Sequence, residues 1–291
     1  MIKTGIRLSS EITPQLVRLL INHPDIDIRW IATNCDLNEY FSELCGELPN
    51  GISTTADFDT IDLYIGDYFD GLSALLLQKE TLRAVITSTP VEIDGGELGV
   101  AEYNRKALVR GCRVAIQPDV VTLLSALALM PLAKNLLLNS PIATTMLLPM
   151  PEKGLKLGNG MIPSEDFEQL NSKVLTQLQA SFSAPISAAT VGNGYSTFAG
   201  AEFKVECKME LEDIQKLYHE FYDDHRHIVI TDGAITQAMV RGTNKTVISL
   251  DHDGSNYLNV SIAFDAIFKA GAGNIVHLLN LLFGLHECTG L

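Results

Sequence analysis

The order of apolar and polar positions divides the chain into two halves with different rhythms. In the first half, short apolar runs alternate with segments of helical spacing. Ile2–Arg7 reads as a strand. Thr13-Pro14 has the form of an N-cap followed by a first helical residue, and Leu16, Leu19 and Leu20 then repeat at the helical interval. His23-Pro24 ends that helix, and Ile26–Thr33 follows as a second strand. Strands over Ile61–Ile65 and Arg83–Ile86 alternate with helices over Leu72–Gln78 and Asn104–Val109. The strand Arg113–Ile116 then leads through Gln117-Pro118-Asp119 into a long apolar helix that ends near Leu138. This alternation predicts an α/β fold with a doubly wound parallel sheet and right-handed crossovers.

The second half loses the alternation. Pro151–Pro163 reads as a loop rich in Gly and Pro, and Asp166–Ser181 as an amphipathic helix. A strand over Ala199–Met209, a helix over Leu211–Tyr222 and a strand over His227–Ile230 follow. Thr246–Leu250 and Tyr257–Phe264 flank Asp251-His252-Asp253-Gly254-Ser255, whose turn chemistry predicts a hairpin. These elements predict an α+β domain with an antiparallel sheet, closed by a last helix over Asn274–Leu282. No internal repeat or low-complexity tract is present.

Composition narrows the function classes. At roughly 150 residues per domain the 291 residues predict two domains, each able to bury a core. With 21 basic and 35 acidic residues the formal charge is −14, which repels phosphate backbones and anionic lipid heads and argues against nucleic acid and membrane surfaces as partners. The longest apolar stretch, Val120–Ala133, falls short of the ~20 residues that span a bilayer. Met1–Arg7 carries no signal-peptide pattern. Cys35, Cys45, Cys112, Cys207 and Cys288 are odd in number, scattered and without a CxxC pair. They read as free thiols in a reducing cytoplasm rather than disulfides or metal ligands.

Several segments resemble the N-acetyl-gamma-glutamyl-phosphate reductase family of the semialdehyde dehydrogenase superfamily. They are Lys269-Ala270-Gly271-Ala272-Gly273-Asn274, Asn280-Leu281-Leu282-Phe283-Gly284-Leu285, Glu287-Cys288-Thr289-Gly290-Leu291, Val240-Arg241-Gly242-Thr243-Asn244 and Ala101-Glu102-Tyr103-Asn104-Arg105. Met1–Ile6, together with Arg18-Leu19-Leu20-Ile21-Asn22-His23-Pro24, is similar to the family's opening. The matches run from the first residue to the last, with a divergent and shortened middle. The resemblance implies a Rossmann-type domain over 1–120, an inserted α+β dimerisation or substrate-type domain over 121–270, and a C-terminal helix over 271–291 that packs back on the first domain. It also implies a role in arginine biosynthesis, a dimeric or tetrameric assembly, and a chemistry. In the family a cysteine thiolate attacks an acyl phosphate, NADPH reduces the thioester, and a histidine serves as acid and base.

Each chemical part can be sought in the sequence. Pyrophosphate binding needs glycines that let the backbone approach, next to a helix N-terminus. Where the family has its glycine-rich turn, this chain reads Arg7-Leu8-Ser9-Ser10-Glu11-Ile12-Thr13-Pro14, with no glycine and an added carboxylate. Ser9 and Ser10 remain as hydrogen-bond donors. At the end of the second strand Asn34 stands where the family places a residue for the 2′-phosphate, with Asp36 nearby. The family's N-P-G-C turn corresponds to Gln117-Pro118-Asp119-Val120, so valine takes the place of the nucleophile and Asp119 reads as a helix N-cap. Cys112 precedes the strand and lies at its wrong end. The family's H-R-H segment corresponds to Phe167–Leu178, which holds no histidine. His225-Arg226-His227 repeats its letters in a different element, where two histidines on one strand face could hold a metal but read as a solvated edge.

The sequence thus predicts the reductase framework without its catalytic residues. No cofactor is expected, although the family uses NADP; Ser9, Ser10, Gly273 and Asn274 are the weak cofactor-binding candidates. Arg241, Thr243 and Asn244 are candidates for binding another ligand, and no metal site is expected. The expected role is that of a binding or assembly protein, a homo-oligomer or a partner of an intact reductase subunit in the cytoplasm. Two alternatives stay open: an active NAD(P)-dependent oxidoreductase with a displaced nucleophile, and a metabolite sensor.

Overall fold

The computed structural model describes residues 1–7, 12–32, 51–87, 93, 95–149, 174–192, 197–252, 254 and 256–291. The Pro151–Pro163 loop, Ser9, Ser10, Asn34, Asp36 and the first half of the helix expected over Asp166–Ser181 lie outside these residues. The chain divides into two compact units. One joins Met1–Pro118 with Ala270–Leu291, and the other is Asp119–Lys269.

The first unit is built on a six-stranded sheet. Its strands are β1 (Ile2–Arg7), β2 (Ile26–Ile31), β3 (Leu63–Gly66), β4 (Arg83–Ile86), β5 (Gly96–Leu98) and β6 (Val114–Ile116), arranged β2-β1-β3-β4-β6-β5. Every pairing is parallel, as the strand–helix alternation predicts. One face is covered by α1 (Ile12–Ile21) and α3 (Ala101–Val109), where Leu16, Leu20 and Leu108 pack on Ile6, Leu63, Ile65 and Val85. On the other, α2 (Leu72–Gln78) sets Leu72 and Leu76 against Trp30, Tyr64, Ala84 and Ile86. Two glycines are fixed by close approach. A Cβ on Gly5 would lie 2.3 Å from Cε2 of the Trp30 indole, and one on Gly99 would lie 2.6 Å from Cδ1 of Leu278. Helix α1 begins at Ile12, ahead of the expected N-cap at Thr13 and first helical residue at Pro14. Pro14 therefore sits in the first turn, where its missing N–H is not needed.

The second unit holds helix α4 (Val120–Lys134), in which every residue from Val121 to Ala133 is buried. A helix apolar on all sides has no solvent face to offer. It ends earlier than the expected Leu138, because Asn135 leaves helical geometry and Leu136 takes a positive φ of 59°. The sheet here comprises β7 (Ile142–Leu148), β8 (Ile186–Gly192), β9 (Phe198–Glu206), β10 (Ile228–Thr231), β11 (Thr246–His252) and β12 (Tyr257–Asp265), ordered β10-β11-β12-β9-β7-β8. Its central pairings are antiparallel, as expected, while the two edge strands, β10 and β8, run parallel to their neighbours. Helix α5 (Leu211–Tyr222) buries Ile214, Tyr218 and Tyr222, spaced four apart on one face. A short helix α6 (Gln237–Val240) precedes β11.

The chain then re-enters the first unit through α7 (Gly273–Leu282), whose Ile275, Val276, Leu278, Leu279, Leu281 and Leu282 complete that unit's core. Beyond it the last residues are held by a polar clip. Asn280 Nδ2 donates to the carbonyls of Thr289 (2.8 Å) and Glu287 (3.2 Å), and its Oδ1 lies 3.0 Å from His23 Nε2. The Glu287 carboxylate meets Arg105 and, at 3.0 Å, His277.

Candidate functional site

The strand-to-helix turn after β6 is the place to look for a nucleophile, because a helix N-terminus lowers the pKa of a thiol held there. Asp119 is the N-cap of α4: Oδ1 accepts the Thr122 amide at 2.8 Å, and Oδ2 accepts the Thr122 hydroxyl at 2.6 Å. Val120, in the position assigned to the reductases' cysteine, opens the helix. An isopropyl group cannot add to a carbonyl, and the neighbouring carboxylate consumes an amide that would otherwise face an incoming anion.

Cys112 offers no substitute. It lies before β6, at the end of the strand away from Gln117, and is buried at 9% exposure with Sγ donating to the Val114 carbonyl at 3.1 Å. Burial pushes its thiol pKa up, the opposite of what an attacking group requires. Cys207 is buried just past β9, and Cys288 sits in the C-terminal segment.

Gly273 and Asn274 open α7, but the amide nitrogen of Asn274 is already engaged, while its buried Oδ1 has no hydrogen-bond partner. Asn274 is fully buried, and Nδ2 donates to Gln117 Oε1 (2.8 Å) and to the Gly99 carbonyl (3.1 Å). Gln117 Nε2 in turn donates to the Pro118 carbonyl at 3.3 Å. This chain of contacts ties the last helix to the ends of β5 and β6, so the donors are spent within the protein.

Arg241, Thr243 and Asn244 stand in three different environments. Arg241 is exposed at the end of α6. The Thr243 hydroxyl donates to the Val240 carbonyl at 2.8 Å. Asn244 is 6% exposed, and neither atom of its amide has a hydrogen-bond partner. The turn is set by Gly242, with φ of 68°, whose N–H donates to Asp265 Oδ2 at 2.8 Å. The Thr197 hydroxyl donates to the same oxygen at 2.9 Å.

The strand expected over His227–Ile230 starts one residue later, at Ile228, and this changes the histidine geometry. His225, Arg226 and His227 form the turn between α5 and β10, where the His225 amide donates to Tyr222 O at 2.9 Å and its ring packs edge-on against Tyr222. The two histidines therefore do not share a strand face. Among the described residues no group of three His, Cys, Asp or Glu side chains is placed to hold a metal, and no helix is long and apolar enough to cross a membrane.

No model of a known protein family matches the chain. Curated relatives do. N-acetyl-gamma-glutamyl-phosphate reductase of Phocaeicola vulgatus is 30% identical over 317 residues, which cover 100% of this chain and 98% of its own. The enzyme of that name from Parabacteroides distasonis is 29% identical over 318 residues with the same coverage. Among solved structures, aspartate semialdehyde dehydrogenase II of Vibrio cholerae superposes with a TM-score of 0.72 over 98% of this chain and 99% of its own, at 12% identity, a likeness of fold alone. Full-length similarity, the C-terminal motif built into the first unit's core and the shared fold agree: the chain belongs to the N-acetyl-gamma-glutamyl-phosphate reductase family.

Proposed function

We propose that this protein keeps the framework of an N-acetyl-gamma-glutamyl-phosphate reductase without its thioester and hydride steps, and acts in the cytoplasm as a binding or assembly protein associated with arginine biosynthesis. The observation that carries this reading is Val120 at the start of α4, next to an Asp119 that caps the helix for itself. A thioester needs sulfur at that point, and Cys112, at the far end of β6, is buried, hydrogen-bonded and raised in pKa.

The residues present do not fit NADP in the family's manner. At the carboxyl end of β1 the guanidinium of Arg7 lies over the Phe69 ring, 5.4 Å from its centroid, and the carboxylate of Asp67 accepts the Thr87 hydroxyl nearby at 2.9 Å. The segment that follows β1 has no glycine between Arg7 and Thr13 and includes Glu11. A carboxylate about 5 Å from a phosphate opposes it by about 3 kcal/mol at an effective dielectric of ~20. Titration of NADPH and of NADH against the purified protein tests this directly. We expect no saturable binding up to about 100 μM; a dissociation constant below that, worth about 5.5 kcal/mol, overturns the reading.

Retention of the C-terminal helix and the Val240–Asn244 turn supports an oligomer, formed either by copies of this chain or with an intact reductase subunit. Native mass spectrometry of the protein, alone and co-expressed with such a subunit, distinguishes the two. A second reading, a metabolite sensor, is favoured by the Asn244 amide, buried with both atoms unpartnered. A melting-shift screen of metabolites on the parent and on Arg241→Ala tests it, with loss of response in the variant expected.

A further inference from the structure

A cleft of about 640 Å³ runs along the outer flank of β5 in the first unit, between that edge strand and one face of α3. It is lined by Glu97 from β5, Tyr103 and Lys106 from α3, Arg110 just past the end of that helix, and Gly95 and Cys112. The volume lies within the ~300–1,000 Å³ of small-molecule sites. The cleft reaches the amino-terminal ends of β5 and β6, whereas open α/β sheets bind nucleotides at the carboxyl ends. It is therefore distinct from the sites considered above.

The charges in this cleft run against the balance of the chain as a whole. On a chain of net charge −14, the lining residues hold two cations and one carboxylate. Among the described residues Lys106, Arg110 and Glu97 form no ion pair, whereas the adjacent Arg105 is paired with Glu287. Arg110, the residue that caps the C-terminus of α3, donates its amide to the Lys106 carbonyl and so stands one turn beyond Lys106; like charges four residues apart cost free energy until an anion bridges them. Gly95 (φ 72°) and Gly111 (φ 113°) leave the floor open, with no atom within 4 Å of the place a Cβ would take at either.

From these charges we infer that the cleft binds a small acidic amino acid, its carboxylates held by Lys106 and Arg110 and its ammonium by Glu97. A ligand of net charge −1 matches a lining of net charge +1 and pairs each of the three side chains. The cleft has no part in the reductase chemistry, so its occupant acts as an effector of stability or assembly.

Calorimetry on the full chain at low salt tests the assignment, with L-glutamate and L-aspartate as probes and their deaminated counterparts glutarate and succinate as controls. We expect saturable binding of one amino acid, with its deaminated counterpart about tenfold weaker. Arg110→Ala and Lys106→Ala should each weaken the amino acid about tenfold, and Glu97→Gln should remove the preference over the deaminated acid. Lys106 and Arg110 are exposed and Glu97 is half-buried, so the unliganded variants should melt close to the parent. Absence of saturable binding at about 10 mM overturns the inference. So does a diacid that binds as tightly as its amino acid, or affinity indifferent to the three substitutions. NADPH binding does not enter these outcomes, so the inference stands or falls apart from the proposed function.

Discussion

Asp119 holds Thr122 by two hydrogen bonds, one from the amide and one from the hydroxyl, and this pair occupies the start of α4, the place to which the sequence resemblance assigns the reductases' nucleophile. Two consequences are measurable. Asp119→Ala should cost about 1 kcal/mol of stability in urea or thermal unfolding, the usual worth of an N-cap. Val120→Cys should supply a thiol and still yield no NADPH oxidation with an acyl phosphate, because the new sulfur alone restores neither a glycine-rich turn nor a histidine. Turnover in that single variant would mean that the cofactor site is intact.

Cys112 should be a poor nucleophile. Burial raises its pKa, so at neutral pH the thiolate is scarcer than in a free cysteine, whose pKa is about 8.5. Iodoacetamide followed by peptide mass spectrometry should find the half-buried Cys288 modified well before Cys112. Labelling at Cys112 should still be climbing at pH values above the ~8.5 of a free thiol. Fast, selective modification of Cys112 at pH 7 would instead favour a displaced nucleophile.

Much of this arrangement is legible in the chain, for identifiable reasons. The helices Leu72–Gln78 and Leu211–Tyr222 and the strand Arg83–Ile86 are bounded in the structure as their patterns predict, since each carries its apolar period within itself. Three elements give no such signal. Strand β5 is only Gly-Glu-Leu, too short for a period. In β7 the inward positions are Ile142, Thr144 and Met146, and the threonine breaks the apolar alternation. Strand β8 is exposed at every position after Ile186, so it has no buried face to mark it. At the site, capping by Asp119 follows from residues three apart. The partners of Asn274 are 175 and 157 residues away, and no local pattern announces them.

The C-terminal clip should be a main source of stability in the first unit. Asn280 is fully buried and meets His23, Glu287 and Thr289. Asn280→Leu leaves two carbonyls and an imidazole without their partner, at about 1–3 kcal/mol for each group that stays buried. We expect a marked fall in melting temperature and earlier proteolysis of the last residues. A neutral substitution would show that water replaces the amide at no cost.

A proline compensation in the second unit can be isolated by a double-mutant cycle. Pro131 lies inside α4 and has no N–H to give to the Leu127 carbonyl four residues earlier. The Tyr222 hydroxyl makes that bond from α5 instead, and Tyr218 serves the Ala128 carbonyl in the same way. Tyr222→Phe should therefore cost about 1–2 kcal/mol in the parent. In a Pro131→Ala background, where residue 131 again has an amide, the cost should shrink by more than the ~0.5 kcal/mol expected of independent sites. Additive effects would mean that the hydroxyl and the missing amide are unrelated.

Two buried tyrosine hydroxyls, those of Tyr218 and Tyr64, bear on the protein's alkaline limit. Burial raises the pKa of Tyr218 well above its ordinary value and raises that of Tyr64 as well. In the unfolded chain a tyrosine ionises near pH 10. Above that value the unfolded state has released protons that the native state still holds, so unfolding is favoured as the pH rises. The contribution is complete below pH ~10 and is lost as the pH climbs toward the native-state values, with Cys112 adding the same sign from about pH 8.5. Melting temperatures should thus be flat with respect to these groups at neutral pH and fall steeply above pH ~10. Tyr218→Phe should start lower, having lost the bond to Ala128 O, and then fall less steeply across the same range. Parallel curves for parent and variant would place the alkaline transition on other groups.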